Sequence, residues 1–234
     1  TVKKIFWTAR PGSMSAAVGQ PVDQKKNPAD LLIQFTDGPG NGFLGLSAKA
    51  TKKKSGKVGF KNPGIGTLDR SLSLNLASYV KTKTDKFVEE YDLPTSANKR
   101  KAFLRSDPNM LSIANQKGSE LLSKLRDMLF DKLMTKKSSE LKDHILSEWM
   151  DANVLYPPYI KVTGKGNKPP FIAVVENPVS NPKLQAMSTG DISLMKIGNE
   201  SIGVMAGDKK ILKMRFKYES QKMATSVKLS GDDW

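Results

Sequence analysis

The chain has 234 residues, with 38 lysines and arginines against 23 aspartates and glutamates, one histidine and no cysteine, for a formal charge of +15. This excludes disulfides, thiolate catalysis and cysteine-bound zinc together, and it excludes a multi-histidine metal site within one chain. With 38% hydrophobic residues and no apolar run near membrane length, the composition predicts a globular core, no membrane partner and a polyanionic partner, of which nucleic acid is the commonest.

Val2–Thr8 has the β-branched and aromatic content of a strand. Ser13–Val18 reads as a short helix capped by Ser13. Gln20–Pro28 is polar. Pro28–Thr51 reads as two strands joined by a Gly/Pro/Asn turn. Pairing positions whose numbers sum to about 79 sets Asp30 opposite Lys49, Leu32 opposite Ser47 and Gln34 opposite Gly45. Leu31, Ile33 and Phe35 then meet Ala48, Leu46 and Leu44 on an apolar face, which is expected to enter the core. The other face gathers an acid, a hydroxyl and a lysine. One residue of slip would exchange the faces, so the pattern is expected to hold the register.

Lys52–Gly66 follows with five lysines, four glycines and one proline. It reads as a loop with at most a short strand around Val58–Phe60. Lys52, Lys53, Lys54, Lys57 and Lys61 are candidates for contacts to phosphates, next to glycines that let backbone N–H groups approach. A solvated basic turn is the competing reading. No Gly-Lys-Ser/Thr occurs, so this is not a Walker A loop.

Leu68–Tyr91 reads as one helix, with apolar residues at helical spacing. A second helical piece spans Ala97–Arg105 and carries the basic run Lys99-Arg100-Lys101, a further nucleic-acid candidate. Ser106-Asp107-Pro108 has the form of a cap followed by proline in the first turn. Ser119–Met134 has a leucine stripe for burial. Another helix starts at Ser138 or Ser139 and runs to about Met150. It carries His144, which has no visible partner and is read as a structural or surface residue. From Leu155 the period changes. Tyr159–Thr163, Pro170–Glu176, Ile192–Ile197, Ile202–Met205, Ile211–Tyr218 and Met223–Leu229 read as strands. Lys213, Arg215 and Lys217 alternate with apolar residues, which makes either a second DNA-facing surface or an ordinary solvated face. The terminal Gly-Asp-Asp-Trp reads as a frayed tail.

Pro28-Ala29-Asp30 at a strand start, followed by a strand that ends in Ser47-Ala48-Lys49, resembles the PD-(D/E)XK nuclease superfamily, the restriction-endonuclease-like folds. The resemblance covers Pro28–Thr51. It implies a mixed α/β (α+β) fold: a restriction-endonuclease-like core sheet with flanking helices, and a β-rich C-terminal part. The expected organisation is a core at residues 1–93, a helical segment at 94–153 and a β-rich part at 154–234 that can share the core's domain. The resemblance further implies a Mg²⁺-dependent deoxyribonuclease, endonuclease or exonuclease, with Mn²⁺ as a substitute, in a phage, restriction or repair setting. Asp30, Ser47 and Lys49 would form the catalytic set. Asp30 and the backbone carbonyl of Ala48 would ligate the metal. The chemistry suits these residue types: a carboxylate binds a hard cation, and a lysine stabilises charge on the phosphate or orients the attacking water.

Two departures stand out. Ser47 occupies the place of the family's usual acid. Members of this kind recruit an acid from the following helix, and Asp69, Glu89 or Glu90 would serve. Members also carry a glutamate on a helix before the hairpin; this chain has no glutamate before Glu89, and Asp23, in an apparent loop, is the substitute. These departures keep a second reading open, that of a non-catalytic nucleic-acid-binding protein or a virion structural component with a basic face. DNA is the expected partner under both readings, and a homo-oligomer is open. No secretory apolar segment opens the sequence, so the expected setting is cytoplasmic: a host cytoplasm, or a virion if phage-encoded.

Overall fold

A computed structural model of the chain describes residues 1–24, 26–36, 42–52, 54, 59–152 and 156–234, with Val179 described by its backbone alone. In chain order the elements are strand β1 (Val2–Trp7), helix α1 (Ser13–Val18), strands β2 (Leu31–Phe35) and β3 (Gly42–Thr51), and helices α2 (Ile65–Leu72), α3 (Leu76–Glu90), α4 (Ala97–Ser106), α5 (Pro108–Met134) and α6 (Ser138–Glu148). Strands β4 (Tyr159–Lys165) and β5 (Ile172–Glu176) follow. Then come a 3-10 turn (Pro178–Ser180), helix α7 (Pro182–Thr189) and strands β6 (Ile192–Ile197), β7 (Ser201–Ala206), β8 (Lys209–Tyr218) and β9 (Val227–Asp233). The fold is α+β, with a mixed five-strand sheet and an antiparallel four-strand sheet. No helix among the described residues is long and apolar enough to cross a membrane.

The chain forms two compact units. The first comprises Thr1–Phe60, Lys142–Gly190 and Asp233. The second comprises Lys61–Leu141, Asp191–Asp232 and Trp234.

In the first unit the sheet order is β1-β2-β3-β4-β5. Strands β1, β2 and β3 form an antiparallel meander, β4 joins β3 in parallel, and β5 is antiparallel to β4. A parallel neighbour requires a long crossover, and helices α2 to α6 lie between β3 and β4 in the chain. The expected hairpin forms, but its register is corrected by two residues. Leu31 pairs with Leu46, Ile33 with Leu44 and Phe35 with Gly42, so paired numbers sum to 77 and Asp30 does not oppose Lys49. An even slip preserves the faces, so the predicted alternation stands. The side that is buried is the reverse of that expected. Leu32 is fully buried with Met14 and Ala29, and Phe6, Ala17, Val18, Val22 and Phe43 pack around them. Helix α1 covers that face, while Ala48 on the opposite face is exposed. Ser13 is not the cap of α1: Gly12 holds that position at φ 78°, and the Ser13 hydroxyl donates to the Arg10 carbonyl.

In the second unit α5 packs on β6, β7 and β8. Its buried stripe includes Leu121, Leu122, Leu125, Leu129 and Leu133, as the leucine spacing predicts. Asp107 caps it by accepting from the Met110 N–H at 3.0 Å, with Pro108 in the first turn. The cap and the leucine stripe, read separately in the sequence, belong to one 27-residue helix. The continuous helix expected over Leu68–Tyr91 is instead two, broken at Ser73 (φ 52°). The Asp69 carboxylate organises the break by accepting from the N–H groups of Leu76 (2.7 Å) and Ala77 (2.9 Å).

The C-terminal residues are not a frayed tail. Asp232 and Asp233 belong to β9, Asp232 pairs with Arg215 at 3.0 Å, and Lys183 Nζ lies 2.5 Å from Asp233 Oδ1. Trp234 packs over Gly203, where an added Cβ would lie 2.7 Å from its ring.

Candidate functional site

The site builds outward from the point where β2 begins. Asp30 leaves the ladder just before β2, with its N–H still donating to the Leu46 carbonyl at 2.8 Å. Its carboxylate Oδ2 then accepts from the Ala48 N–H at 2.7 Å. The side chain thus takes the place of the backbone acceptor that a longer β2 would have offered. Within a strand, a residue's N–H and C=O project toward the same neighbour, and the direction alternates. Leu46 and Ala48 point toward β2, while Gly45 donates to Pro158 and Thr51 accepts from Gly166 on the β4 side. The Ala48 carbonyl therefore projects from the same edge of β3 that Asp30 borders. Asp30 thus lies against the Ala48 backbone, and Lys49 is the next residue.

The neighbour of Ser47 is the feature that sequence reasoning missed. The parallel pairing places Lys161 of β4 beside Ser47, and Thr163 beside Lys49. Paired positions share a face, so Ser47, Lys49, Lys161 and Thr163 lie on one side of the sheet. Ser47 and Thr163 are 2% exposed, and Lys49 and Lys161 are half-buried. Lys161 Nζ donates to the Gly59 carbonyl at 3.2 Å and lies 5.8 Å from the Phe60 ring centre. Lys183 Nζ sits 5.9 Å from the same ring. Burial lowers the pKa of Lys161 below the ordinary lysine range, and the charge of Lys49 adds to this. Glu176, Asp233 and Asp151 oppose it. Glu176 stands directly across from Lys161 on β5. Nothing in the local sequence around Tyr159 marks Lys161, because its role follows from a parallel pairing across a long crossover.

The remaining candidates divide by what they touch. Asp69 is committed to the start of α3, with both oxygens engaged by backbone N–H groups. Glu89 and Glu90 are exposed on α3, and Asp23 is exposed and ion-paired with Lys26 at 3.7 Å. Among the described residues, no group of three or more His, Asp or Glu side chains gathers as a metal cluster. Lys52 and Lys54 are exposed, whereas Lys53, Lys57 and part of the strand expected at Val58–Phe60 lie outside the described residues. Lys61 is half-buried, and its carbonyl accepts from Gly231. Lys99 is exposed and Lys101 half-buried. Arg100 is a correction. It is 6% exposed, and its guanidinium donates to the carbonyls of Met223, Pro94, Thr95 and Ala224. Burial lowers its pKa. It holds the fold together and has no free edge for a phosphate. His144 is buried, which agrees with a structural role.

The donor set beside β3 is one carboxylate, with an oxygen not used by Ala48, and one backbone carbonyl. That set fits a small hard cation which keeps several waters and completes its shell with substrate phosphate. It does not form a closed protein cage. No protein-family model and no curated protein matches this chain.

Proposed function

We propose that the β2–β3 hairpin is a phosphodiester site and that the chain is a metal-dependent deoxyribonuclease. The observation that carries this reading is the Asp30 carboxylate bonded to the Ala48 amide, directly beside Lys49, in a chain of charge +15. The free oxygen of Asp30 and the Ala48 carbonyl would hold Mg²⁺, or Mn²⁺ in its place. The ion would supply Lewis acidity and a more acidic bound water. Lys49 stabilises the charge that grows on the phosphate oxygens. Lys161 sets a second lysine on the same face, and burial disfavours its charged form, so its ammonium gives up a proton more readily than an ordinary lysine does. A DNA partner and a cytoplasmic setting belong to this proposal.

A second reading, DNA binding without cleavage, is favoured by one observation: the residue beside Ser47 is a lysine, not the second acid. The experiment that separates the two incubates supercoiled plasmid and single-stranded circles with the protein in Mg²⁺, Mn²⁺ or EDTA. Nicking that needs the divalent ion and is lost in Lys49→Ala supports the nuclease. Nicking that persists unchanged in Lys49→Ala removes the hairpin from the chemistry. Salt-sensitive binding without nicking selects the second reading.

A further inference from the structure

A second site lies in the other unit, and no motif residue of the hairpin lines it. A cavity of about 410 Å³ is lined by Ser119 of α5, Ser201 of β7, Lys213 and Arg215 of β8, Lys222 and Glu200, among others. Gly118 makes its wall possible. An added Cβ there would lie 2.7 Å from Lys222 Cβ, so only glycine lets this segment approach α5 so closely. Lys222 Nζ donates to Ser119 Oγ at 2.6 Å, which fixes the ammonium against the helix. Ser201 pairs with Arg215 across the β7–β8 ladder, and Lys213 lies two residues before it on the same face.

Arg215 is anchored on one side only. One terminal nitrogen meets Asp232 at 3.0 Å, while Nε is buried with no hydrogen-bond partner among the described residues. Buried donors are nearly always satisfied, and an exception calls for an explanation. The lining sets three cations and two serine hydroxyls against the single carboxylate of Glu200. An arginine edge with flanking ammonium groups matches the tetrahedral oxygens of a phosphate.

We propose that this cavity binds a phosphate group, supplied either by a nucleic-acid backbone or by a free phosphate compound. The proposal does not depend on the hairpin's chemistry, and its test reads no cleavage. Amide resonances of Asn199, Ser201, Arg215 and Lys222 are followed while inorganic pyrophosphate, or a short single-stranded oligodeoxynucleotide, is added to the full chain. Saturable shifts at these amides are expected, with at least a tenfold loss of apparent affinity in Lys213→Met/Lys222→Met. Lys213→Gln alone, at a half-buried position on the cavity wall, serves as the variant least able to disturb folding. If the backbone is the source, the oligonucleotide saturates at the lower concentration, and its salt slope falls by about 1.4 in the double variant. If a free phosphate compound is the source, pyrophosphate alone moves these amides. The proposal is overturned if neither titrant shifts them, or if the shifts and affinities are unchanged in both variants.

Discussion

The two sheets show how differently similar sequence patterns can be used. In the second unit β8 alternates Leu212, Met214 and Phe216, all fully buried, with half-buried Lys213, Arg215 and Lys217. Helix α5 covers the sheet, and hydrophobic burial accounts for its cohesion. In the first unit the apolar face that the hairpin pattern marks for the core is largely open. Val2, Ile5 and Trp7 on β1 and Val175 on β5 are each more than half exposed. The opposite face is closed, and it holds Ser47, Thr163 and Lys161 with Leu32 and Met14. One sheet has its polar side outside. The other places hydroxyls and lysines on the covered side, where burial is costly unless hydrogen bonds offset it, as the Lys161 bond to the Gly59 carbonyl does.

Core truncation should break this contrast most strongly. Phe216→Ala in the second unit should cost about 3–5 kcal/mol, from lost burial plus the cavity left behind, and Ile5→Ser in the first should cost under about 0.5 kcal/mol. Chemical denaturation of both variants checks it, and equal losses would erase the distinction. Asp69→Ala removes two hydrogen bonds at the start of α3 and should cost about 1 kcal/mol, read as a lower midpoint with an unchanged slope.

Alkaline titration should act with opposite signs at Tyr218 and Lys161. Burial raises the Tyr218 hydroxyl to about 12. The folded state therefore holds a proton that the unfolded chain releases from about pH 10, and stability falls as pH climbs through that window. Tyr218→Phe should flatten the fall. Burial lowers Lys161, so the unfolded chain binds the extra proton and stability rises as pH approaches the ordinary lysine range from below. Lys161→Met should remove that rise. Stability curves from pH 7 to 11 for the two variants test both signs.

A small effect is also expected at Asp127, whose carboxyl is held below the ordinary aspartate range, chiefly by its bond to Lys196 at 2.7 Å. Its contribution is present at neutral pH and is lost as pH falls through the depressed value. Because both groups are partly exposed, Asp127→Asn should cost under about 1 kcal/mol at pH 7, with a shallower acid dependence.

Much of the fold was legible because its signals are local. Leucine spacing marked α5, Asp107-Pro108 marked its start, and β-branched alternation marked β4 through β8. Helix α7 was missed although Asn181-Pro182 carries the same start signal, with Asn181 accepting from the Lys183 N–H at 2.9 Å. The hairpin's alternation could be read, but not which face α1 would cover, since a period of two is symmetric between faces. Its register was misjudged because Asp30, counted as a ladder residue, bonds Ala48 through its side chain. Lys161 was invisible because a parallel partner is reached only through five helices of intervening chain.

Asp30 and its neighbours are proposed to act on a phosphodiester, while Asp69 bonds the start of α3. Single-turnover cleavage of a labelled DNA substrate in Mg²⁺ tests this directly by comparing Asp30→Ala with Asp69→Ala, both below their unfolding temperatures. A loss of at least about 10²-fold in rate is expected for Asp30→Ala, the scale of a lost electrostatic or acid–base contribution, with Asp69→Ala near wild type. Equal rates for Asp30→Ala and wild type, or a selective loss in Asp69→Ala, would contradict it.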